Sequence, residues 1–432
     1  MKVFAVLTLL LALIGCSGAG PTAAPPTASP SAASSTATTP AASPSSAPTP
    51  TSASATASVA ATPTSVLTVA VTGAPTTSPT LEPTPVPTVS PTTAPAGNLI
   101  ELFAGGGTMP PANGIQALDA QLLRPSGVAV ASDGEIWIVD ANLSLLMRIA
   151  EDGTLADMAT GLTGPDGLTV AAEGSDLSAN VYIADKGAYR IMLADGDGGV
   201  TRVAGDEFRP GFRGDGGPAR RAWLWGPSDV ASDAAGNVFI ADSVNNRIRV
   251  IAATTGIIET IVGTGTAGFS GDGGPATEAT IYNPQAIAIN PEGTILLIAD
   301  TANGRLRRVD MTTGIITTIA GTGTGTIPYN PTLTGLQAPL VRLAALALDL
   351  QGNAYFEVAW GDLGVTIMRL DPAGVLTLIA GGGRTLTPGG PALEFSLPDI
   401  IGLAIDHTDG ALLICSSDGK VYRVPGVATP AP

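Results

Sequence analysis

The sequence predicts an all-β fold in residues 98–427, a six-bladed β-propeller with four antiparallel strands in each blade. An apolar segment, which begins with proline in four of its copies, recurs six times at intervals of 40 to 62 residues. In most copies three further short apolar segments follow, separated by turns that contain glycine, which is typical of a four-stranded blade. The sixth copy ends one strand short, and a matching strand stands at the other end of the domain.

The first strand of each copy is the easiest to recognise. The six segments read PSGVAV from Pro125, PDGLTV from Pro165, PSDVAS from Pro227, PQAIAI from Pro284, LAALAL from Leu343 and IIGLAI from Ile400. The third copy shows the other strands clearly, as NVFIAD (237–242), NRIRVI (246–251) and IIETIV (257–262). The second strand thus ends at an acidic residue, and the third carries arginine.

The two ends of the domain are predicted to share one blade. KVYRVPG (420–426) is the third strand of the last copy, and NLIELFAGG (98–106) matches GIITTIAGT (314–322), which contains a fourth strand. Pairing the first strand of the domain with the last one closes the ring and removes open sheet edges.

The N-terminal region predicts export and anchoring. Residues 1–15 contain Lys2 and then an apolar run that is too short to span a bilayer comfortably, which is typical of a signal peptide. Leu13-Ile14-Gly15-Cys16 resembles the bacterial lipobox, so we expect Cys16 to be lipidated. The alternatives are a transmembrane anchor or a plain signal peptide.

Residues 16–97 consist mostly of Pro, Thr, Ser and Ala. Such a segment cannot bury enough apolar surface to offset the entropy of ordering it, so we expect a disordered, semi-rigid stalk. Residues 428–432 are expected to form a short disordered tail. The predicted localisation is extracytoplasmic, with the chain held on the bacterial membrane by lipid.

The charge balance limits the partners. The chain has 20 basic and 36 acidic residues, a formal net charge of −16, which argues against nucleic acid. Only two cysteines are present. If Cys16 carries lipid, Cys415 has no disulfide partner and is expected to be a small core residue.

NVFIADSVNNRIRVI (237–251) and ILLIADTANGRLRRV (295–309) resemble NHL repeats, and the GDGGPAT segments resemble connectors of bacterial multi-NHL secreted proteins. The resemblance covers the second to fourth copies well and the others loosely. In this family the strand-ending acid forms a structural ion pair with an arginine. The pairs implied here are Asp185–Arg190, Asp242–Arg247 and Asp300–Arg305.

The glycine-rich segments GFRGDGGPARRA (211–222) and GFSGDGGPATEA (268–279) connect one copy to the next. Related connectors occur before the first and sixth copies, and a motif repeated around a ring favours a structural role. We therefore interpret them as scaffold, and not as a phosphate site or an Arg-Gly-Asp recognition motif at Arg213–Asp215.

Catalytic motifs are scarce. The single histidine, His407, is predicted to be a solvated turn residue, and one histidine cannot form a multi-histidine zinc site. No nucleophile elbow, Cys–His pair or Walker loop is present. We expect no cofactor, although a weak calcium site at Asp195 and Asp197 stays open.

Long loops are expected on only one face of the propeller, and the rare aromatic residues fall there. We therefore predict a non-catalytic, monomeric module that binds a protein or glycan. The alternative is a divalent-metal-assisted lactonase or other hydrolase, since related propellers resembling gluconolactonase bind a metal at the channel mouth. The candidate binding residues are Trp223, Trp225, Tyr282, Trp360, Asn245 and Asn303.

Overall fold

The computed structural model describes residues 98–430, apart from 172–179, 196–197, 207, 324 and 326. All of them belong to the unit Thr84–Pro432. Within the described residues 25 strands form six antiparallel sheets, and no α-helix occurs. The innermost strand of each sheet touches the innermost strands of both neighbouring sheets, so the ring is closed. The predicted six-bladed propeller is confirmed.

The strands follow the predicted order, four to a blade, from the inner strand outward. Blade one holds β2 (Pro125–Val130), β3 (Ile136–Asp140), β4 (Leu145–Ile149) and β5 (Leu155–Ala159); blade two holds β6 (Leu168–Val170), β7 (Val181–Asp185), β8 (Arg190–Ala194) and β9 (Val200–Ala204); blade three holds β11 (Pro227–Ser232), β12 (Val238–Asp242), β13 (Arg247–Ile251) and β14 (Ile257–Val262), with the short β10 (Gly217–Pro218) added at its outer edge.

The second half of the ring repeats this arrangement. Blade four holds β15 (Ala286–Ile289), β16 (Ile295–Asp300), β17 (Arg305–Asp310) and β18 (Ile315–Ala320); blade five holds β19 (Leu346–Leu348), β20 (Ala354–Trp360), β21 (Gly364–Leu370) and β22 (Leu376–Gly381); blade six holds β23 (Ile400–Asp406), β24 (Ala411–Ser416), β25 (Lys420–Val424) and β1 (Glu101–Gly105). Short 3-10 turns lie at Lys186–Ala188, Ala219–Arg221, Ser243–Asn245, Ala276–Glu278, Thr301–Asn303, Gly335–Gln337 and Ala392–Glu394.

The second strand is among the most completely buried strands of each blade. All five residues of β3 and of β12 are buried. Both faces of such a strand pack against neighbouring blades, which explains why its sequence is a continuous apolar run and not an alternating one. The outer strand β14 alternates more and exposes Glu259. The hydrophobic core therefore lies between adjacent blades.

The ring closes through the first strand of the domain. β1 pairs antiparallel with β25, with Glu101 opposite Arg423, and a bulge interrupts the register between Leu102 and Ala104. Ile100 and Ala104 are almost completely buried. The predicted sharing of blade six between the two chain ends is therefore confirmed.

The packed region ends slightly beyond residue 427. Val427 and Ala428 are buried, and the backbone N–H of each donates to the carbonyl oxygen of Gly410. Cys16 and the predicted stalk lie outside the described residues. Within the described part of the chain, no helix has the length and apolar character needed to cross a membrane.

Candidate ligand-binding face

The connectors between blades are held by buried arginines. Arg249 of β13 is fully buried, and its Nη2 lies 2.6 Å from Asp215 Oδ1. The second carboxylate oxygen of Asp215 accepts a hydrogen bond of 2.7 Å from Thr260 Oγ1. In the next blade Arg307 Nη2 lies 2.8 Å from Asp272 Oδ1 in the same way. Asp215, the acid of the Arg-Gly-Asp triplet, is therefore bound within the fold, and the connector is scaffold.

Two glycines of these connectors are required because the backbone of the same connector passes close to them. Gly214 and Gly271 have φ angles of 100° and 90°, and a Cβ at either position would lie 2.7 Å from the Cα of Ala222 or Ala279. Only glycine adopts this conformation and leaves room for the facing chain. The repeated glycines thus allow each connector to fold back on itself.

Arginine also stacks on the phenylalanine of the connectors 211–222 and 268–279. The Arg247 guanidinium carbon lies 3.7 Å from the Phe212 ring centre, and Arg305 lies 3.7 Å from that of Phe269. At these distances a cation–π interaction contributes to holding the connector on its blade.

The structural ion pairs differ from those implied by the family resemblance. Arg190 Nε lies 2.7 Å from Asp185 Oδ2, so this pair is present. The other two implied pairs are wrong, because the arginines within reach are Arg249, 3.7 Å from Asp242, and Arg307, 3.5 Å from Asp300.

The register explains this correction. Arg247 lies directly opposite Asp242 on the neighbouring strand, but its guanidinium turns onto Phe212 and donates to the Thr264 carbonyl. Arg249 is two residues further along, on the same face of the strand, and reaches both Asp242 and Asp215. The same displacement separates Arg305 from Arg307, which faces Asp300.

Burial is the largest influence on the pKa values of Asp242 and Asp300. It raises the pKa of Asp242 to about 6, against the opposing effect of the Trp225 N–H, the Asn245 amide and the nearby arginines. The pKa of Asp300 is raised for the same reason. Arg249 and Arg307 therefore stabilise carboxylates that would otherwise be poorly solvated.

Arg249→Met is expected to lower the free energy of unfolding by about 3 kcal/mol, because it leaves Asp242 and Asp215 without their cation. Arg247→Met removes a partly exposed side chain from the adjacent position and is expected to cost about 1 kcal/mol or less. Urea denaturation of the two variants measures the difference. Equal losses would contradict the assignment of Arg249 as the partner of Asp242.

Asn245 and Asn303, two of the candidate binding residues, are engaged inside the scaffold. Asn245 Nδ2 donates to Asp242 Oδ2 at 2.9 Å and to the Gly211 carbonyl at 2.8 Å. Asn303 Nδ2 makes the same contacts with Asp300 and the Gly268 carbonyl. Their amides join the strand-ending aspartate to the connector, so neither is placed to bind a ligand through its amide nitrogen.

Two predicted aromatic residues occupy equivalent exposed positions. Trp225 and Tyr282 are 44% and 45% exposed, and each donates its backbone N–H to the aspartate that ends the second strand, Asp242 or Asp300. Leu123 holds the same place in blade one, with its N–H bound to Asp140. These positions come just before the inner strands, and they form the apolar rim (Leu123, Trp225 and Tyr282).

The other two tryptophans differ from this pattern. Trp223 is half-buried, and the guanidinium of Arg213 lies 5.6 Å from its ring centre. Leu224, between Trp223 and Trp225, is the residue whose side chain is fully buried. Trp360 is only 3% exposed, because it ends strand β20 and packs edge-on against Tyr329. The expectation that Trp360 is a loop residue available for binding is therefore wrong.

A cavity of about 460 Å³ runs along the axis of the ring and is lined by residues from the inner strand of every blade. At its connector end lies a charged mouth, formed by Arg124, Lys186, Arg342, Asp166, Asp229 and Asp399. Lys186 Nζ lies 2.6 Å from Asp166 Oδ2, and Arg342 Nη2 lies 2.8 Å from Asp399 Oδ2.

Asp229 belongs to the wall of the cavity. Its two carboxylate oxygens accept hydrogen bonds of 2.9 Å from the backbone N–H groups of Val230 and Ile287. Burial nevertheless raises its pKa to about 7, with a smaller contribution from Asp166. Equivalent positions in the other blades hold only glycine or alanine, as in Gly167 and Ala286.

Sequence reasoning missed the arginines and acids of this mouth. Arg342 of blade five stands at a position where several other blades have Gly or Asn. Glu357 of the same blade stands where several other blades have a small apolar residue. A residue-by-residue alignment of the six copies would have shown both as exceptions. The net charge of the chain gives no sign of these arginines, because the chain as a whole is strongly acidic.

His407 lies at the opposite end of the cavity, directly after β23. It is half-buried, which lowers its pKa, and its Nδ1 has no hydrogen-bond partner among the described residues. It lies in a turn, as predicted, but it lines the cavity and is half-buried, so it is less solvated than expected. Cys415 is fully buried, and burial raises its pKa.

The weak calcium candidate is only partly described. Asp195 Oδ1 accepts a 2.7 Å hydrogen bond from the Gly199 N–H, while Asp197 lies outside the described residues. Across the described part of the chain, no three His, Cys, Asp or Glu side chains are grouped as metal ligands.

Comparisons with known proteins agree with the fold. Residues 224–251 match the NHL repeat family. NHL repeat-containing protein 2 of Bos taurus is 26% identical over 297 residues, covering 62% of this chain and 40% of the relative. Teneurin-4 of Mus musculus is 31% identical over 294 residues, covering 62% of this chain and 10% of the relative. The chain thus spans less than half the length of these two relatives.

A solved auxiliary nutrient binding protein from Bacteroides thetaiotaomicron superposes with a TM-score of 0.55 at 12% identity, covering 76% of each chain. At this identity the similarity shows the fold alone.

Proposed function

We propose that this six-bladed β-propeller, which carries an NHL repeat at residues 224–251, is a non-catalytic binding module that takes a short glycan at the charged mouth of its axial cavity. The observation that carries the proposal is the apolar rim, where Trp225 and Tyr282 are exposed although their backbones are fixed by buried aspartates. Rigid aromatic side chains beside hydrogen-bonding groups are characteristic of recognition surfaces.

The dimensions of the cavity support a small ligand. A volume of about 460 Å³ lies within the usual range of pockets that bind small molecules. In blade one the residue after the rim position is Arg124, and Arg342 holds the equivalent place in blade five. Both line the cavity. We propose that a ligand stacked on the rim extends inward to the polar groups of the mouth. The similar Bacteroides protein is described as nutrient binding, and capture of a nutrient glycan is in keeping with this proposal.

The alternative is a lactonase or other hydrolase, with or without a divalent metal. Asp229 favours it, because a carboxyl group with a pKa of about 7 in a cavity wall is suited to proton transfer. Both oxygens of Asp229, however, already accept backbone hydrogen bonds. For this reason we place the hydrolase second.

Trp225→Ala and Tyr282→Ala are each expected to weaken glycan binding by the full chain by roughly tenfold or more, because the ring provides the stacking surface. Binding is measured on a glycan array and then by calorimetry. Phe208→Ala is the matched control, since Phe208 is an exposed aromatic residue, at 64%, that does not belong to the apolar rim. Equal binding by all three variants would contradict the proposal, and turnover of a lactone that is lost on chelation would favour the hydrolase.

We also propose that the propeller is displayed outside the cytoplasm as a monomer, on a stalk formed by residues 16–97 and anchored by lipid on Cys16. The support is the lipobox-like segment and the Pro-rich composition that follows it.

Cys16→Ala is expected to release most of the protein from the membrane fraction or to block its maturation, because a single residue carries the attachment. Fractionation followed by mass spectrometry of the N-terminus measures this. Mature protein with an unmodified Cys16 would exclude the lipid anchor.

A further inference from the structure

We infer that the ligand is an acidic glycan, whose carboxylates are bound by Arg124 and Arg342 at the mouth of the cavity. This inference rests on the proposed function, because it specifies the chemical class of the ligand that the mouth takes.

The first observation is the backbone of Arg342. Its φ angle is 69°, in the left-handed region that side chains other than Gly and Asn rarely adopt. The equivalent residues of blades two, three and four are Gly164, Gly226 and Asn283, with φ angles of 57°, 62° and 50°. Blades two to five therefore share a conformation that Arg124 of blade one and Asp399 of blade six do not adopt, and blade five places an arginine where glycine would be easier. Strain of this kind is concentrated at functional sites.

The second observation is how the Arg342 side chain is held. It is 47% exposed, and its Nη2 lies 2.8 Å from Asp399 Oδ2. Its Nε faces Glu357 Oε1 at 3.7 Å. The contact with Asp399 orients the guanidinium and leaves other N–H groups for a ligand. Because guanidinium binds carboxylate in a planar, two-point geometry, an oriented arginine is a suitable carboxylate receptor.

The third observation is the state of Glu357. It is fully buried on β20, and its carboxyl group faces the Nε of Arg342 at 3.7 Å and the backbone N–H of Ile400. Blades three and four have Ala241 and Ala299 at this position. Burial raises the pKa of Glu357 to about 8, with Arg342 opposing the shift and Asp399 adding to it. At neutral pH the buried carboxyl group is thus mostly protonated and does not neutralise Arg342.

The fourth observation is Arg124, which lines the same cavity from blade one. Its guanidinium is exposed and forms no ion pair with any described residue, whereas Lys186 is paired with Asp166. Of the acids of the mouth, Asp166 and Asp399 are paired with Lys186 and Arg342. The N–H groups left for an anion are therefore those of the unpaired Arg124 and of the half-exposed Arg342. Arg124 and Arg342 flank blade six, so an acidic oligosaccharide meets one on each side.

The test measures binding of trigalacturonate, its methyl ester and neutral galactotriose to the full chain by calorimetry. We expect trigalacturonate to bind at least about tenfold more tightly than the two uncharged sugars, with affinity falling as salt is raised. Arg124→Gln and Arg342→Gly should each remove most of this preference. Arg220→Gln, at an exposed arginine away from the cavity, is the control.

The Arg342→Gly variant separates binding from folding. Glycine takes the left-handed conformation without strain, so the melting temperature should stay the same or rise while the affinity falls. A Glu357→Gln variant tests whether the charge of Glu357 controls the availability of Arg342. In the wild-type protein the affinity should fall above about pH 8, where Glu357 ionises and competes for Arg342, and Glu357→Gln should remove this dependence.

The outcomes distinguish this inference from the proposed function. If the neutral and acidic sugars bind equally and the arginine variants match the control, the inference is wrong and the glycan-binding function stands. If no sugar binds and no glycan on the array responds to Trp225→Ala, the proposed function fails and the inference fails with it.

Discussion

Deletion of residues 98–106 is expected to make the protein aggregate, or to lower its melting temperature by about 10 °C or more. The deletion removes β1, which is the outer strand of blade six and joins the two ends of the domain. It also removes Ile100 and Ala104 from the core. β25 is left with an unpaired edge that presents Tyr422 and Val424, and such an edge pairs with other chains. Thermal unfolding with light scattering measures both effects.

The control for this experiment is deletion of residues 21–90, which precede the propeller. We expect this shorter chain to keep the melting temperature of the full chain, because the Pro- and Thr-rich composition provides almost no apolar surface for packing. Equal stability of the two deletion variants would mean that β1 does not close the ring.

Trp360→Ala is expected to lower the free energy of unfolding by about 3 to 5 kcal/mol, the usual cost of removing a large buried aromatic side chain. Trp360 is 3% exposed and lies in the core between blades, with its ring 5.3 Å from that of Tyr329. The cavity left behind is bordered by strands that belong to a closed ring, so it cannot collapse easily. Urea denaturation gives the change in the midpoint.

The matched control is Trp225→Ala, which truncates the same side chain at a position that is 44% exposed. We expect a change of about 1 kcal/mol or less, because an exposed ring loses little packing. Similar midpoints for the two variants would contradict the burial of Trp360. The comparison also separates the two roles, since only Trp225 is expected to affect the ligand.

The sequence alone was sufficient to predict the blade count, the strand order and the closure of blade six. These properties follow from local patterns: short apolar runs, glycine turns and a repeated spacing. Each blade repeats one four-stranded unit, so a weak signal in one copy is supported by a clear signal in another. The shared blade followed from the phase of the repeat, because β1 resembles β18 of blade four.

The partners of individual side chains could not be predicted in this way. The choice of Arg249 over Arg247 as the partner of Asp242 depends on Phe212, which comes from a connector 30 or more residues earlier in the chain. The burial of Trp360 depends on how far β20 extends and on the position of Tyr329. Neither contact can be recognised from the local sequence, because its two residues are far apart in the chain.

The propeller fold, its phase and the scaffold role of the connectors were therefore determined by the sequence itself, because hydrophobic period and turn chemistry act over a few residues. The tertiary structure decided which charged residues meet at the mouth of the cavity. Arg124, Arg342 and Asp399 come from three connectors far apart in the chain, and Glu357 comes from β20. They converge only because the ring brings the starts of its inner strands together around one axis.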